Sequence, residues 1–501
     1  MNISLFLQMA ADADADRIAL ICDGQRWSYG ALYRAAQGAA RSILASGTRH
    51  VALLDESSAA SAIALFGAAI AGIPYVPLNY RLADADLAAL IGRIAPAYMI
   101  GDVARVARVH RDGGHATFTR GGFVAEAEAQ ADGAALDETD ATIAIQIFTS
   151  GTTAAPKAAL LRHANLFSYI LGTVEFGAAP EDDAALVCVP PYHIAGIAAL
   201  LSSVYAMRRI LLLPAFDPDA WMALVAAERA TNAFVVPTML SRIVTAMDGR
   251  TVADTAHDMS TLRAIAYGGG RMPTELIHRA LDLFPTTDFT NAYGLTETSS
   301  TISLLGPEDH RAAHRAEDPA IRARLSSVGR PLPTIEIEIR DENGAVLPPG
   351  QQGEIYVRGD QVSGEYKERS ALDAAGWFPT RDAGWIDAEG YLFLAGRADD
   401  VIVRGGENIS PREIEEVLLT HPAIADAAAI AVPSAEWGET VGVALVCRPG
   451  HDRPDAAVLR TLVKDRLRSS RVPERILFVD ALPYNEMGKL LRREVRTLFE
   501  R

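Results

Sequence analysis

Up to about residue 300, short aliphatic runs alternate with longer Ala/Leu-rich segments whose apolar positions recur at helical spacing. The runs RHVALLD (49–55), TIAIQIF (142–148), ALVCVP (185–190) and RILLLP (209–214) are apolar almost throughout, as in strands covered on both faces. Helices between such strands predict parallel sheets in an α/β arrangement. The longest apolar run, 62–78, contains Gly72, Pro74 and Pro77, which predicts a buried helix and a turn, not a membrane span. Residues 103–138 are weakly periodic, and 306–327, GPEDHRAAHRAEDPAIRARLSS, is charged; both are expected to be surface excursions. His310 and His314 in the second have a metal-ligand spacing, but two histidines in a charged helix more simply line a solvated face.

From 330 the pattern changes to period two, in TIEIEIRDENG, GEIYVRG and GYLFLAG, which predicts an antiparallel or barrel-like region. A polar stretch, RADD, follows Gly396, and then a helix (411–420), strands near 426–432 and 441–447, a helix (455–468) and a strand (475–479). The expected fold class is α/β. Residues 1–395 are expected to form a large N-terminal domain of doubly wound sheets plus a small β-barrel-like region, 396–400 a hinge, and 401–501 a small mobile α/β C-terminal domain. No internal repeat is evident.

The formal charge of −16 is spread along the 501 residues, which favours solubility and argues against a nucleic-acid surface while leaving room for a local anion site. Cys22, Cys188 and Cys447 lie far apart, without metal-ligand spacing; buried structural thiols of a reducing, cytoplasmic compartment are expected. The opening MNISLFLQMAADADADR lacks a basic n-region and turns acidic, so neither an export signal nor an anchor is expected.

Candidate chemistry begins at FTSGTTAAPKAAL, residues 148–160. Thr149, Ser150, Thr152 and Thr153 can offer donors to phosphate oxygens and Lys157 a point charge; an ordinary Ser/Thr/Gly turn is the alternative. The Walker pattern fails, because the only glycine, Gly151, lies six residues before the lysine and Ala158 stands where Ser or Thr is required. Further polar turns fall at predicted strand ends, where open α/β folds bind ligands: YGGG (267–270), NAYGLTE (291–297), TRDAGW (380–385), GRADD (396–400), RGGENISPREIE (404–415) and NEMGK (485–489).

The order of these turns, with TSGTT…PK at 149–157 and PYHIAG at 191–196, resembles the adenylate-forming superfamily of acyl-CoA synthetases, stand-alone adenylation domains and beetle luciferases, over nearly the whole chain. The resemblance implies a two-step reaction. A carboxylate attacks the α-phosphate of ATP and releases pyrophosphate, and a thiol then displaces AMP from the acyl-adenylate. It implies ATP, Mg²⁺ and coenzyme A as reactants or cofactors, Lys489 bridging carboxylate and α-phosphate, Glu297 as the Mg²⁺ ligand, and Lys157 as a third catalytic residue. Thr149, Ser150, Gly151, Thr152 and Thr153 would hold the β- and γ-phosphates. Gly268, Gly269, Gly270, Asn291, Ala292, Tyr293 and Gly294 would frame the adenine, with Thr296 beside them; Asp382 would accept the ribose hydroxyls, and Arg397 would contact the nucleotide. Asp399 matches the pivot, and Gly405 and Gly406 would line the pantetheine tunnel. Two positions depart from the family pattern TSGTTGxPKG, Ala154 and Ala158, and a left-handed backbone at either would cost roughly 1 to 2 kcal/mol; a stiffer loop, slower to close or to release pyrophosphate, is the expectation. Arg381 stands where the family commonly has glycine.

His193 occupies a place where amino-acid-activating relatives usually carry an aspartate-containing motif, so an acid without an α-amine is implied. By resemblance His193, with the small Ala195 and Gly196, lines the acyl pocket, which fixes neither chain length nor ring. The leading expectation is a carboxylate:CoA ligase of fatty or aromatic acids, monomeric or homodimeric. An acyl-AMP ligase passing its product to a carrier protein in trans, or to an amine, is the alternative. A luciferase-like oxygenase and a non-catalytic ATP-binding relative complete the set.

Overall fold

The computed structural model describes the chain except residues 110–114, 135, 137, 138, 150–155, 248, 253–256, 398, 399, 405, 406, 435, 486, 487 and 501. Two large sheets dominate. One has nine strands, with a parallel centre of Ile18–Cys22, Arg209–Leu212, Ala184–Val187, Asn232–Val235, Ala264–Gly268 and Asp288–Leu295. The other has eight, with Ile143–Thr149, Tyr75–Pro77, His50–Leu54, Ala97–Gly101 and Ala116–Thr119 in parallel. A shared layer of helices lies between them. Leu32, Ile63, Phe66 and Leu201 of that layer join Leu20 and Val187 of one sheet and Leu53 and Ile145 of the other in a single buried cluster. Helix Ala59–Ala71 is apolar on almost every face because it is covered on every face. It ends at Gly72, whose φ of +69° only glycine adopts at no steric cost.

The alternating segment after 330 forms a four-stranded antiparallel sheet of Glu336–Arg340, Gly353–Arg358, Phe378–Ile386 and Leu392–Arg397. The last sheet is built from Ile402–Arg404, Glu407–Ile409, Ile424–Ser434, Gly438–Cys447 and Arg475–Phe478, flanked by helices Pro411–Leu419, Ala456–Arg466 and Arg492–Phe499. No helix among the described residues is long and apolar enough to cross a membrane.

Two expectations are corrected. Within 103–138, Ala116–Thr119 pairs with Ala97–Gly101 and helix Arg120–Ala129 buries Phe123 and Ala127 completely, so this described stretch is built into the fold. The segment 306–327 also turns inward, with His310 and Ala313 of helix Pro307–Arg315 fully buried. His310 Nδ1–H donates to the Gly306 carbonyl (2.7 Å), leaving Nε2 to accept from the Tyr267 hydroxyl (2.8 Å). Burial lowers its pKa to about 4, so the ring is neutral. His314 instead faces His278 and Asp282, at 2.7 Å and 3.0 Å, so the two histidines share no ligand position. Cys22 and Cys188 are buried and Cys447 is half-buried; burial pushes the first two thiols up to about 12.

Candidate active site

Several of the described candidate residues lie at strand ends of the two large sheets and in the antiparallel sheet. Ala264–Gly268 and Asp288–Leu295 run parallel in register, so Gly268 lies beside Ala292 and Tyr267 beside Asn291. A Cβ on Gly268 would stand 2.3 Å from the Ala292 carbonyl oxygen, so only glycine lets the strands approach. Gly269 follows at φ +77°, bending the chain away with Gly270. Asn291 donates to the Ser327 carbonyl (3.1 Å). Gly294 lies against the Ser300 carbonyl, where a Cβ would clash.

Asp382 is the meeting point of three elements. One carboxylate oxygen accepts the Tyr293 hydroxyl (2.6 Å) and the other the Arg397 guanidinium (2.9 Å); Arg397 also lies 3.3 Å from the Thr380 carbonyl. Burial and the adjacent carboxylate hold the Tyr293 hydroxyl well above its ordinary pKa, so it acts as a donor. A bulge aims Asp382: its neighbours pair with Gly353–Arg358 at Ala383 and Pro379, and Thr380 Oγ1 donates to the Ile355 carbonyl (2.8 Å) while accepting from the Asp382 amide (3.1 Å). Arg381, at the crest of the bulge, has φ +62°, a left-handed backbone disfavoured by roughly 1 to 2 kcal/mol in a residue with a Cβ. Its side chain is exposed and only 3.7 Å from Glu354, a contact worth about 1 kcal/mol at most. Arg381→Gly is therefore expected to raise the urea midpoint, by a gain of up to about 1 kcal/mol after glycine's larger unfolded-state entropy is subtracted. A lowered midpoint would contradict the strain.

Glu297 sits in the single turn Thr296–Thr298 and is nearly buried. Its backbone carbonyl accepts from the amides of Ser363 (2.9 Å) and Gly364 (3.1 Å), and one carboxylate oxygen accepts the Tyr366 hydroxyl (2.7 Å). Tyr366 pairs with Ala159, and Lys157 Nζ lies 5.5 Å from its ring centroid, so the lysine and the carboxylate flank one aromatic ring. After Glu297 the chain is strained, with Ser299 at φ +56° and Ser300 at φ +108°. The fully buried Gln361 spans this kink, its amide donating to the Thr298 (3.0 Å) and Thr301 (2.7 Å) carbonyls. A hard carboxylate such as Glu297 suits Mg²⁺, which takes one or two carboxylates and keeps waters and substrate phosphates as its other ligands.

Thr149 ends its strand opposite Lys157. Ser150, Gly151, Thr152, Thr153 and Ala154 lie outside the described residues, as do Asp399, Gly405 and Gly406. Ala158 is a buried strand residue paired with Phe148, and its φ is not positive. The expected left-handed penalty is therefore absent at this position. His193 caps helix Ile194–Tyr205, its ring 4.6 Å from that of Tyr192. Ala195 packs on the neighbouring core, and Gly196 lines a small apolar cavity with Leu65, Tyr75, Ile197 and Leu200.

Lys489 comes from the far end of the chain. Tyr484 bridges Leu490, the Asn485 amide donates to the Lys489 carbonyl (2.9 Å), and Gly488 turns at φ +71°. Gly488 rests on helix Pro237–Ala246: a Cβ there would stand 2.5 Å from Thr238 Cγ2. Lys489 remains open to solvent, yet partial desolvation of its amine and then the Arg397 charge lower its pKa, while Asp382, Asp400 and Glu297 act in the opposite sense. Lys489 is 107 positions from Asp382 and 192 from Glu297 in the sequence, and the fold brings all three into one electrostatic site.

A fold of this kind with a nucleotide-type turn set at its strand ends defines an adenylate-forming enzyme. Residues 7–367 match the family described as AMP-binding enzyme, and 413–489 its AMP-binding enzyme C-terminal domain; the chain belongs to this family. It is 31% identical over 498 residues to a fatty acid–[acyl-carrier-protein] ligase of Streptomyces coeruleorubidus, covering 96% of this chain and 93% of that one. It is 31% identical over 489 residues to a feruloyl-CoA synthase of an Amycolatopsis species, covering 95% and 94%. The o-succinylbenzoate-CoA synthetase of Bacillus subtilis, solved with its acyl-adenylate intermediate, superposes with a TM-score of 0.82 at 28% identity, covering 98% of this chain and 97% of that one. Sequence reasoning misses Tyr366 and Gln361, because no local motif marks either.

Proposed function

We propose that the protein activates a fatty or aromatic carboxylic acid with ATP and transfers the acyl group to coenzyme A. The carboxylate oxygen forms a bond to the α-phosphorus as the bond to pyrophosphate breaks; the CoA thiol, losing its proton, then displaces AMP. The observation that carries this reading is the seating of Gly488 against Thr238, with the next residue, Lys489, in the field of Arg397, Asp382 and Glu297. The first step brings two anions together, so a fixed cation between them lowers its barrier.

In this reading Lys489 neutralises the attacking carboxylate and the α-phosphate, and Asp382 accepts the ribose hydroxyls, held in place by Tyr293 and Arg397. The strand ends at Gly268–Gly270 and Asn291–Gly294 pack against the adenine, with Thr296 also contacting the nucleotide. Glu297 would hold Mg²⁺, which when bound offsets phosphate charge. Thr149 and Lys157, with Ser150, Gly151, Thr152 and Thr153 by resemblance, would hold the β- and γ-phosphates. His193, Ala195 and Gly196 are proposed to shape the acyl pocket. After adenylation, residues 401–501 would turn about 396–400, with Asp399 as pivot, and Gly405 and Gly406 would admit the pantetheine. A cytoplasmic location is part of this reading.

The acceptor has a second candidate. Similarity to an acyl-carrier-protein ligase supports transfer to a carrier protein acting in trans. Incubation with ATP, Mg²⁺, CoA and a panel of fatty and aryl acids, followed by mass spectrometry, separates the two. AMP, pyrophosphate and an acyl-CoA are expected. Acyl-adenylate or AMP without acyl-CoA would move the acceptor to a carrier protein or an amine, and ADP as product would overturn the reading.

A further inference from the structure

Arg271 directly follows the YGGG turn and reaches across to helix Pro411–Leu419. Its Nη1 donates to Glu415 Oε2 (2.8 Å) and its Nη2 to Glu416 Oε1 (3.1 Å). Glu415 is almost fully buried, at 2% exposure. Its other oxygen accepts the Ala429 amide (2.9 Å) and the Arg492 guanidinium (2.6 Å). Arg492 opens the helix Arg492–Phe499 and lies three residues after Lys489. One carboxylate thus joins an arginine at the end of the YGGG turn to the base of the Lys489 turn. Arg496 and Arg492 also flank Asp400, at 3.1 Å and 3.6 Å, so the same helix is tied to the proposed hinge.

We propose that Arg271 is a positioning residue for adenylate formation: through Glu415 and Arg492 it holds the last hundred or so residues in the orientation that presents Lys489 to Asp382, Arg397 and Glu297. The inference rests on the proposed two-step reaction. Arg271 acts through its two carboxylate partners, Glu415 and Glu416. A buried carboxylate shared between two guanidiniums is directional and sensitive to small displacements, so it registers one orientation and releases when the segment turns away. When Arg271 is removed, Glu415 Oε1 keeps Arg492 and the Ala429 amide while Oε2 loses the Arg271 contact, so R271Q, whose side-chain amide can still donate, is the milder variant and a urea midpoint is measured beside each rate.

The test is the ratio of the two half-reactions in the full-length enzyme. R271L and R271Q are expected to slow adenylate formation from acid and ATP at least about tenfold, and to change thioester formation from supplied acyl-adenylate and CoA less than about twofold. R271K, which keeps the charge but not the two-pronged contact, should recover part of the loss. Spin labels on L171C and V458C, both at exposed positions, in a background with the native cysteines replaced, should show a broadened distance distribution in R271L with ATP bound. Equal loss in both half-reactions, or no loss and an unchanged distance distribution, overturns the proposal. A wild-type enzyme that forms no adenylate from any acid removes the underlying reading and the proposal with it. That failure is distinct, because it is seen before any substitution is made.

Discussion

Lys489→Ala is expected to lower the rate of adenylate formation by roughly 10²–10³-fold, the loss usual for a preorganised charge-stabilising donor, and to leave thioester formation from supplied acyl-adenylate within about twofold. The asymmetry follows from where the charge is needed. A carboxylate approaches a polyanion only in the first step, and Lys489 is the cation that the Asn485–Lys489 turn carries towards Asp382, Arg397 and Glu297. Only the protonated amine can do this. Partial desolvation first, and then Arg397, lower its pKa from the ordinary value of about 10.4, so the ammonium is lost as pH rises through that lowered value. The kcat/KM of adenylation should therefore fall in alkaline solution with an apparent pKa below the ordinary lysine value. Lys489→Arg, charged throughout, should remove that limb whatever it does to the rate. Equal loss of both half-reactions in Lys489→Ala would contradict the assigned role.

Glu297→Gln is expected to cost roughly 10²-fold in adenylation at limiting Mg²⁺, with the loss partly recovered as Mg²⁺ is raised. Glutamine preserves the shape and an oxygen that can accept the Tyr366 hydroxyl, and the backbone bonds from Ser363 and Gly364 are untouched. What it removes is the charge that a hard dication selects. The measurement is the rate against Mg²⁺ concentration for both proteins. An unchanged Mg²⁺ dependence would place the metal elsewhere.

The parts of this site that are legible in sequence are those whose chemistry is local. Helix Ala59–Ala71 announces itself because a residue covered on all sides must be apolar on all sides. Gly269 and Gly488 are glycines because their own turns take a left-handed backbone, at φ +77° and +71°. The illegible parts are those made by long-range partners. Tyr366 meets Glu297 from 69 positions away, and Gln361 meets Thr298 from 63; neither separation leaves a periodic trace. Tyr293 reads as a core aromatic, and it is one, but its hydroxyl serves Asp382 from 89 positions away. Helix Arg120–Ala129 is hidden because it buries only Phe123 and Ala127, too few positions to set a period. His310 misleads for a related reason: His310 and Ala313 alone turn inward, while the charges around them dominate the pattern.

Arg381 and Ala158 show how differently two departures from one family pattern can act. Both stand where glycine is usual in relatives by resemblance. Ala158 occupies an extended strand position and carries no left-handed strain, whereas Arg381 does, at φ +62°. The bulge it crests is the one that aims Asp382.

The most direct test of the central claim is exchange of labelled pyrophosphate into ATP, measured with Mg²⁺ and a panel of acids and without CoA. Exchange that requires an acid and vanishes in Lys489→Ala is the expected result. Exchange with no acid present, or ATP turnover to ADP with no exchange for any acid, would contradict adenylate formation as the chemistry of this site.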